Sequence, residues 1–273
     1  MNAVLVAGCA VAGALAGAAL DVVAARVPAA PAPGTGDEAV APAGPLHDDP
    51  ALAITGAPAT DPGVRAVPEP GAGPGAGPAR PGSGPPGPLE LVGTAVVTAV
   101  LFGAAAARFG PVPELAAYCV LFAGLVGISV ADLRVGLVPR TLLYPTLGLM
   151  TVALVAAAAV AGDWTPLVHA AIGGAGAFAV FFGLWWFVPR GIGFGDVRLA
   201  GLIGAGLGWL GLADVYVGFL SGFVVGALMG TLKMLAQGTG RKTRFPFAPA
   251  LAVGAVIGVL WGGSLASYWI LHT

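Results

Sequence analysis

Apolar residues run along this chain in long blocks with little alternation. Eight stretches approach the roughly 20 residues that a helix needs to cross a bilayer: Ala3–Val23, Leu89–Ala107, Leu115–Ala131, Thr141–Ala161, Leu167–Val188, Val197–Leu212, Val215–Leu235 and Ala248–Leu271. The sixth is the shortest. This pattern predicts an all-α integral membrane protein, a polytopic bundle of about eight transmembrane helices. Polar and small residues gather instead between the first and second blocks, where 16 of the 24 prolines fall between Pro28 and Pro88. Such a segment has too little apolar surface to offset the entropy of ordering. The organisation expected is a first transmembrane helix over residues 1–27, a disordered Pro/Gly-rich linker over 28–88, and a seven-helix membrane core over 89–273.

Only 9% of the 273 residues are charged, against about a quarter in a soluble domain, so a water-soluble globule is excluded. A net charge of -1 gives no basic surface for nucleic acid. The placement of the basic residues gives an orientation. Numbered from the N-terminus, the odd connections between blocks hold 11 of the 12 Lys and Arg residues, and the even ones hold only Arg108. By the positive-inside rule the odd connections, the linker included, are expected in the cytoplasm and both termini outside. The two cysteines, Cys9 and Cys119, lie in apolar runs and read as packing residues. Gly218, Gly222, Gly226 and Gly230, and then Gly254, Gly258 and Gly262, form small-residue faces on the last two helices, suited to close packing in lipid.

Charge is costly at membrane depth, so the few acids near the spans are the candidates for chemistry. Six of the 13 lie in the linker, and Glu114, Asp163 and Asp214 belong to the outer connections, where solvation accounts for them. Of the four that remain, Glu90 follows Pro88 at a helix start, where the dipole favours it. Asp132 ends the third span, where the same dipole disfavours a carboxylate. Asp196 stands in Gly191-Ile192-Gly193-Phe194-Gly195-Asp196, alternate glycines that permit close backbone approach at the start of the sixth span. Two carboxylates at one depth fit an aspartyl protease dyad, one Asp drawing a proton from water while the other, protonated, polarises the scissile carbonyl. They fit equally a cation or proton site in a small polytopic transporter. A zinc peptidase is excluded, because His47, His169 and His272 are scattered and no His-Glu-x-x-His occurs. Gly262-Gly263-Ser264 reads as helix packing and not as a nucleophile turn.

Gly193-Phe194-Gly195-Asp196 resembles the Gly-x-Gly-Asp motif of the type IV prepilin peptidases, membrane aspartyl proteases. Asp132-Leu133-Arg134 through Leu137-Val138-Pro139 is similar to that family's first aspartate segment, and Phe245-Pro246-Phe247-Ala248-Pro249 to its Pro-Phe-Gly-Pro segment, with Ala248 in place of Gly. Gly17 through Pro28 resembles its N-terminal Gly-Ser-Phe-Leu-Asn stretch, with Asp21 at the Asn. The resemblance covers about two-thirds of the chain. It implies Asp132 and Asp196 as the catalytic dyad, with Gly193 and Gly195 shaping a strand-like approach to the substrate. The substrate implied is a prepilin or pseudopilin carrying a short basic leader, cut at the cytoplasmic face of the inner membrane. Pilus or secretion assembly machinery is implied as partner alongside the lipid bilayer. Larger members carry a tetra-cysteine zinc module between their first two helices and also N-methylate the new terminus. Pro28–Pro88 contains no cysteine, so no metal or other cofactor is expected and the sequence gives no basis for assigning methyl transfer. Arg140 stands after Pro139, where the family commonly has Asn or Asp, which removes the expected helix cap there.

Overall fold

The computed structural model describes residues 3–25, 87–188, 192–237 and 246–272. The Pro/Gly-rich segment expected to be a linker therefore lies outside the described residues, as do Arg190, Arg241, Lys242 and Arg244. Regular structure among the described residues is helical throughout: α1 (Ala3–Ala25), α2 (Pro88–Phe109), α3 (Leu115–Val135), α4 (Arg140–Ala161), α5 (Thr165–Phe187), α6 (Phe194–Leu210), α7 (Leu212–Gln237) and α8 (Ala248–His272). All but α6 are long and apolar enough to cross a membrane. The chain is a multi-pass membrane protein.

Chain ends and turns follow local chemistry. Helix α3 stops where Gly136 takes a left-handed conformation (φ 68°) and donates its N–H to the Asp132 carbonyl at 2.8 Å, a conformation that costs glycine nothing. Helix α4 begins after Pro139 with no side-chain cap, in keeping with Arg140 at its first position. At 17 residues, α6 measures about 25 Å, short of a hydrocarbon core of about 30 Å. It tolerates this because Val197, Leu199, Ala200, Leu202, Ile203 and Leu207 are buried among neighbouring helices and not against lipid.

Glycine decides which helices pair closely. Between α7 and α8, an added Cβ at Gly254 would strike the Gly218 and Gly222 backbone and one at Gly258 would press on Asp214 and Gly218, while one at Gly222 would just touch the α8 backbone. Gly230 continues the spacing but faces open space, so it takes no part. The α5–α6 pair uses the same device through Gly173, Gly204 and Gly208, and the α1–α2 pair through Gly13 and Gly17. Small residues of this kind let backbones touch in lipid, where apolar burial drives no association. Between these hairpins lies α3, the most enclosed helix: 67% of its apolar window is buried inside the protein, against 11% for α1. Tyr118 and Phe122 of α3 are fully buried, and the Tyr118 hydroxyl donates to the Gly206 carbonyl of α6 at 3.0 Å.

Candidate active site

The last turn of α3 and the first turns of α6 and α8 meet at one end of the bundle, and the two aspartates singled out above lie there. Asp132, 5% exposed, stands at the C-terminal end of α3, where its own helix dipole opposes a carboxylate. The compensation comes from α8. Its first residue, Ala248, donates its backbone N–H to Asp132 Oδ2 at 3.1 Å. A first-turn amide has no acceptor within its own helix, so the carboxylate satisfies a group that would otherwise be buried unpaired. Phe247 anchors that helix start, its ring tilted 45° to Phe223 (centroids 5.8 Å) and lying over Gly226.

Asp196 is the third residue of α6. Its Oδ2 accepts the Gly193 N–H at 3.2 Å while its own N–H donates to the Gly193 carbonyl at 3.0 Å, a reciprocal closure of the helix start. Asp196 follows Gly195, which lies against Val138 just beyond the end of α3, so the two aspartates, 64 positions apart in sequence, stand at the same end of the bundle. The flanking glycines differ. Gly193 has extended backbone (φ -76°, ψ 145°) at the helix entry. Gly195 lies within the helix, and its missing side chain makes room for Val138 of the α3–α4 turn; an added Cβ would sit 2.8 Å from Val138 Cβ. The strand-like stretch expected of both glycines is confined to the first, because the helix starts three residues earlier than hydropathy indicated. Arg198, a turn further on, lies over the Phe194 ring at 4.4 Å.

A second cluster occupies the same end. Asp21 of α1, 1% exposed, pairs through Oδ1 with Arg134 Nη2 at 3.3 Å and accepts the Thr94 hydroxyl through Oδ2 at 3.1 Å. Arg134 also reaches Glu90 Oε2 at 2.8 Å. Glu90 caps α2 as its position suggested, accepting the Gly87 N–H at 3.2 Å, and is an ion-pair partner besides. This cluster binds α1 and α2 to α3 two residues beyond Asp132. The sequence held a signal for it: Asp21, Glu90 and Arg134 are charges of opposite sign at the same end of three spans.

One acid departs from its expectation. Asp214, assigned to a solvated connection, is 8% exposed and sits in the first turn of α7. It lies against Gly262 of α8. The hydropathy pattern placed the start of α7 at Val215, three residues too late, because the aspartate itself lowers the local average. Its place, at the first turn of α7 and beside Gly262 about four turns along α8, is remote from Asp132 at the start of α8.

Comparison with known proteins follows the same lines. The family model of the type IV leader peptidase family matches residues 119–231, a stretch holding both aspartates. A prepilin leader peptidase/N-methyltransferase of Bacillus subtilis (strain 168) is 31% identical over 175 residues, 64% of this chain and 67% of that protein. The protein of the same name in Xanthomonas campestris pv. campestris is 31% identical over 193 residues, 69% of this chain and 64% of its own. One in Aeromonas salmonicida is 33% identical over 156 residues, 55% of this chain and 50% of its own. The chain thus spans from half to about two thirds of the length of these curated relatives. No solved structure matches it. From the family match and the extent of the shared sequence, the chain belongs to the type IV leader peptidase family and is by that membership a protease.

Proposed function

We propose that the chain is a membrane aspartyl endopeptidase that removes the basic leader from a type IV prepilin or pseudopilin, with Asp132 and Asp196 as its catalytic pair. The observation that carries the proposal is that the end of α3 and the start of α6, each bearing one of the aspartates, meet at one end of the bundle, with Asp132 held by the α8 backbone. In the cycle envisaged, the ionised aspartate takes a proton from water and the resulting hydroxide adds to the scissile carbonyl carbon. The protonated aspartate stabilises the developing oxyanion. Collapse of the tetrahedral intermediate breaks the C–N bond, the leaving amine takes up a proton, and no covalent enzyme intermediate forms. Gly193 and Gly195 support the backbone that presents Asp196.

The positive-inside distribution supports placing this end of the bundle at the cytoplasmic face of the inner membrane, with both termini outside and the linker inside. Pilus or secretion assembly machinery would receive the shortened product. Methyl transfer, the second activity in the relatives' names, is not part of the proposal, since the segment between α1 and α2 has no cysteine.

Co-expression with a cognate prepilin and detection of the shortened product test the reading. Asp132→Asn and Asp196→Asn should each lower cleavage by at least about a hundredfold, the lower bound for loss of a positioned acid or base. Cleavage at the normal rate in either inserted variant would remove the dyad assignment.

A further inference from the structure

The two cysteines stand on facing surfaces of α1 and α3. Both are half-buried and pack against the apolar core. On α3, Cys119, Ala123, Val130 and Arg134, all half-buried, return to one face, an arc of about 60° at about 100° per residue. Gly127 lies just beside that arc and Leu20 of α1 rests on it: a Cβ added at Gly127 would be 3.7 Å from Leu20 Cβ. Arg134, at the foot of the same face, holds Asp21 of α1 at 3.3 Å. This face of α3 therefore meets α1. On α1, Cys9 stands about three turns before Leu20 and points the same way to within about 20°.

Register places the two thiols at one height. Helix α2 touches both neighbours near their N-terminal ends: its Gly103 lies against Val6 and Ala10, which flank Cys9, and Phe109, under two turns further on, stacks at 4.5 Å on Tyr118, beside Cys119. The Leu20–Gly127 and Asp21–Arg134 contacts join the C-terminal ends, so α1 and α3 run in the same direction. Counting back from Leu20–Gly127 sets Cys9 level with Ala116; counting back from Asp21–Arg134 sets it level with Phe122. Cys119 is midway between them. The Cβ–Cβ spacing where these faces touch, 3.7 Å at Gly127, falls within the about 3.5–4.5 Å that a disulfide spans.

We propose that Cys9 and Cys119 form a reversible disulfide that locks α1 to α3, at the end of their interface remote from the Asp21–Arg134 pair. As it closes, the two thiols give up two protons and two electrons, one S–S bond forms, and a quinone dissolved in the bilayer is reduced to the quinol. A dithiol reopens it by closing to its own disulfide while the two S–H bonds re-form. The helix that gains the tie is weakly enclosed: 11% of the α1 window is buried inside the protein, against 67% for α3. With the thiols free, α1 is held by its glycine contacts to α2 and by Asp21–Arg134; with them joined, it is covalently part of the most enclosed helix. Cys119 is about 20 Å of helix away from Asp132, so the lock stands whatever reaction the aspartates perform.

The test uses the full chain in phosphatidylethanolamine–phosphatidylglycerol vesicles, treated with duroquinone, whose fully methylated ring leaves no open carbon for a thiol to add to. Free thiols are then counted with polyethylene-glycol maleimide after denaturation in sodium dodecyl sulfate. The untreated chain should take two tags, one for each cysteine, and the oxidised chain none. Dithiothreitol should restore both, and the oxidised chain should migrate as a monomer without reductant. It should also need more sodium dodecyl sulfate to unfold, because the crosslink restricts the unfolded chain. Cys9→Ser keeps one tag throughout and should show no such shift. Moving the thiol one position, Cys9→Ser with Ala10→Cys, turns it by about 100° and should leave two tags after the quinone. Two tags remaining on the unsubstituted chain, disulfide-linked dimers in place of the intrachain bond, equal closure of the displaced pair, or an equal unfolding shift in Cys9→Ser would each overturn the proposal.

Discussion

Asp21 is the most consequential charge outside the aspartate pair, and its removal gives a graded prediction. Its side chain is fully buried and that of Arg134 is 11% exposed, so the pair is withdrawn from solvent while Glu90, 60% exposed, is not. Removing one partner of a buried pair costs about 3–5 kcal/mol. Glu90 stays at 2.8 Å from Arg134 and recovers part of that, although an exposed ion pair returns only about 0–1 kcal/mol. The Thr94 hydroxyl is not stranded, since its one proton can turn to the Glu90 or the Leu91 carbonyl. Asp21→Ala should therefore destabilise by about 2–4 kcal/mol, breaking a buried pair with partial recovery. Asp21→Asn keeps an acceptor for Arg134 and should cost about 1–2 kcal/mol. Replacing both members with apolar residues, Asp21→Leu with Arg134→Met, should recover most of the loss, because no buried unpaired charge remains and Glu90, left without Arg134, is 60% exposed. Unfolding of the purified protein by sodium dodecyl sulfate, followed by tryptophan fluorescence, ranks the variants. A double variant as unstable as the sum of its singles, or an alanine variant indistinguishable from wild type, would refute the account.

Further outcomes follow from other contacts. Gly195→Ala should destabilise by about 1–3 kcal/mol through overpacking against the Val138 Cβ, and Val138→Gly, which removes that atom, should add less to Gly195→Ala than it costs alone; strictly additive losses in the same unfolding assay would refute the steric origin. At the α4–α5 connection, the Thr165 backbone N–H at 2.9 Å holds the Asp163 carboxyl below its ordinary range. Its contribution to stability is thus present above the unfolded-state value and lost as the pH falls through the folded one, so Asp163→Ala should matter at neutral pH and cease to matter in strong acid; a pH-independent difference in melting temperature would contradict this. A chain lacking residues 33–86 is expected from composition to keep most of its cleavage activity, and loss of cleavage in a correctly inserted deletion protein would give that segment a role.

Helix number and approximate length were legible because lipid imposes them on each span separately. Boundaries were misread where a charge interrupts an apolar run. Helix α3 continues past Asp132 to its glycine cap, α6 starts at Phe194 ahead of Asp196, and α7 starts at Leu212 ahead of Asp214. In each case the aspartate depresses local hydropathy although the backbone remains helical. Which helices touch was legible only where glycines repeat evenly, as on α7 and α8. The glycines joining α5 to α6 lie at 173, 174, 201, 204 and 208, a spacing with no simple period, and escaped notice. Asp132 and Asp196 stood out because few charges compete with them. The amide that holds Asp132 was invisible for a different reason: a backbone N–H carries no sequence signature, and its availability depends on which helix starts beside it.

The hydrogen bond from Ala248 to Asp132 bears on when the chain becomes complete as it is made. Helix α3 is synthesised early, α6 later and α8 last, and each belongs to a different neighbouring pair. A newly inserted chain that has reached only α6 would carry both carboxylates but not the amide that fixes the first. The end of the bundle bearing the aspartates thus acquires this form only when α8 docks, so a chain stalled before it would carry both charges with Asp132 unsupported.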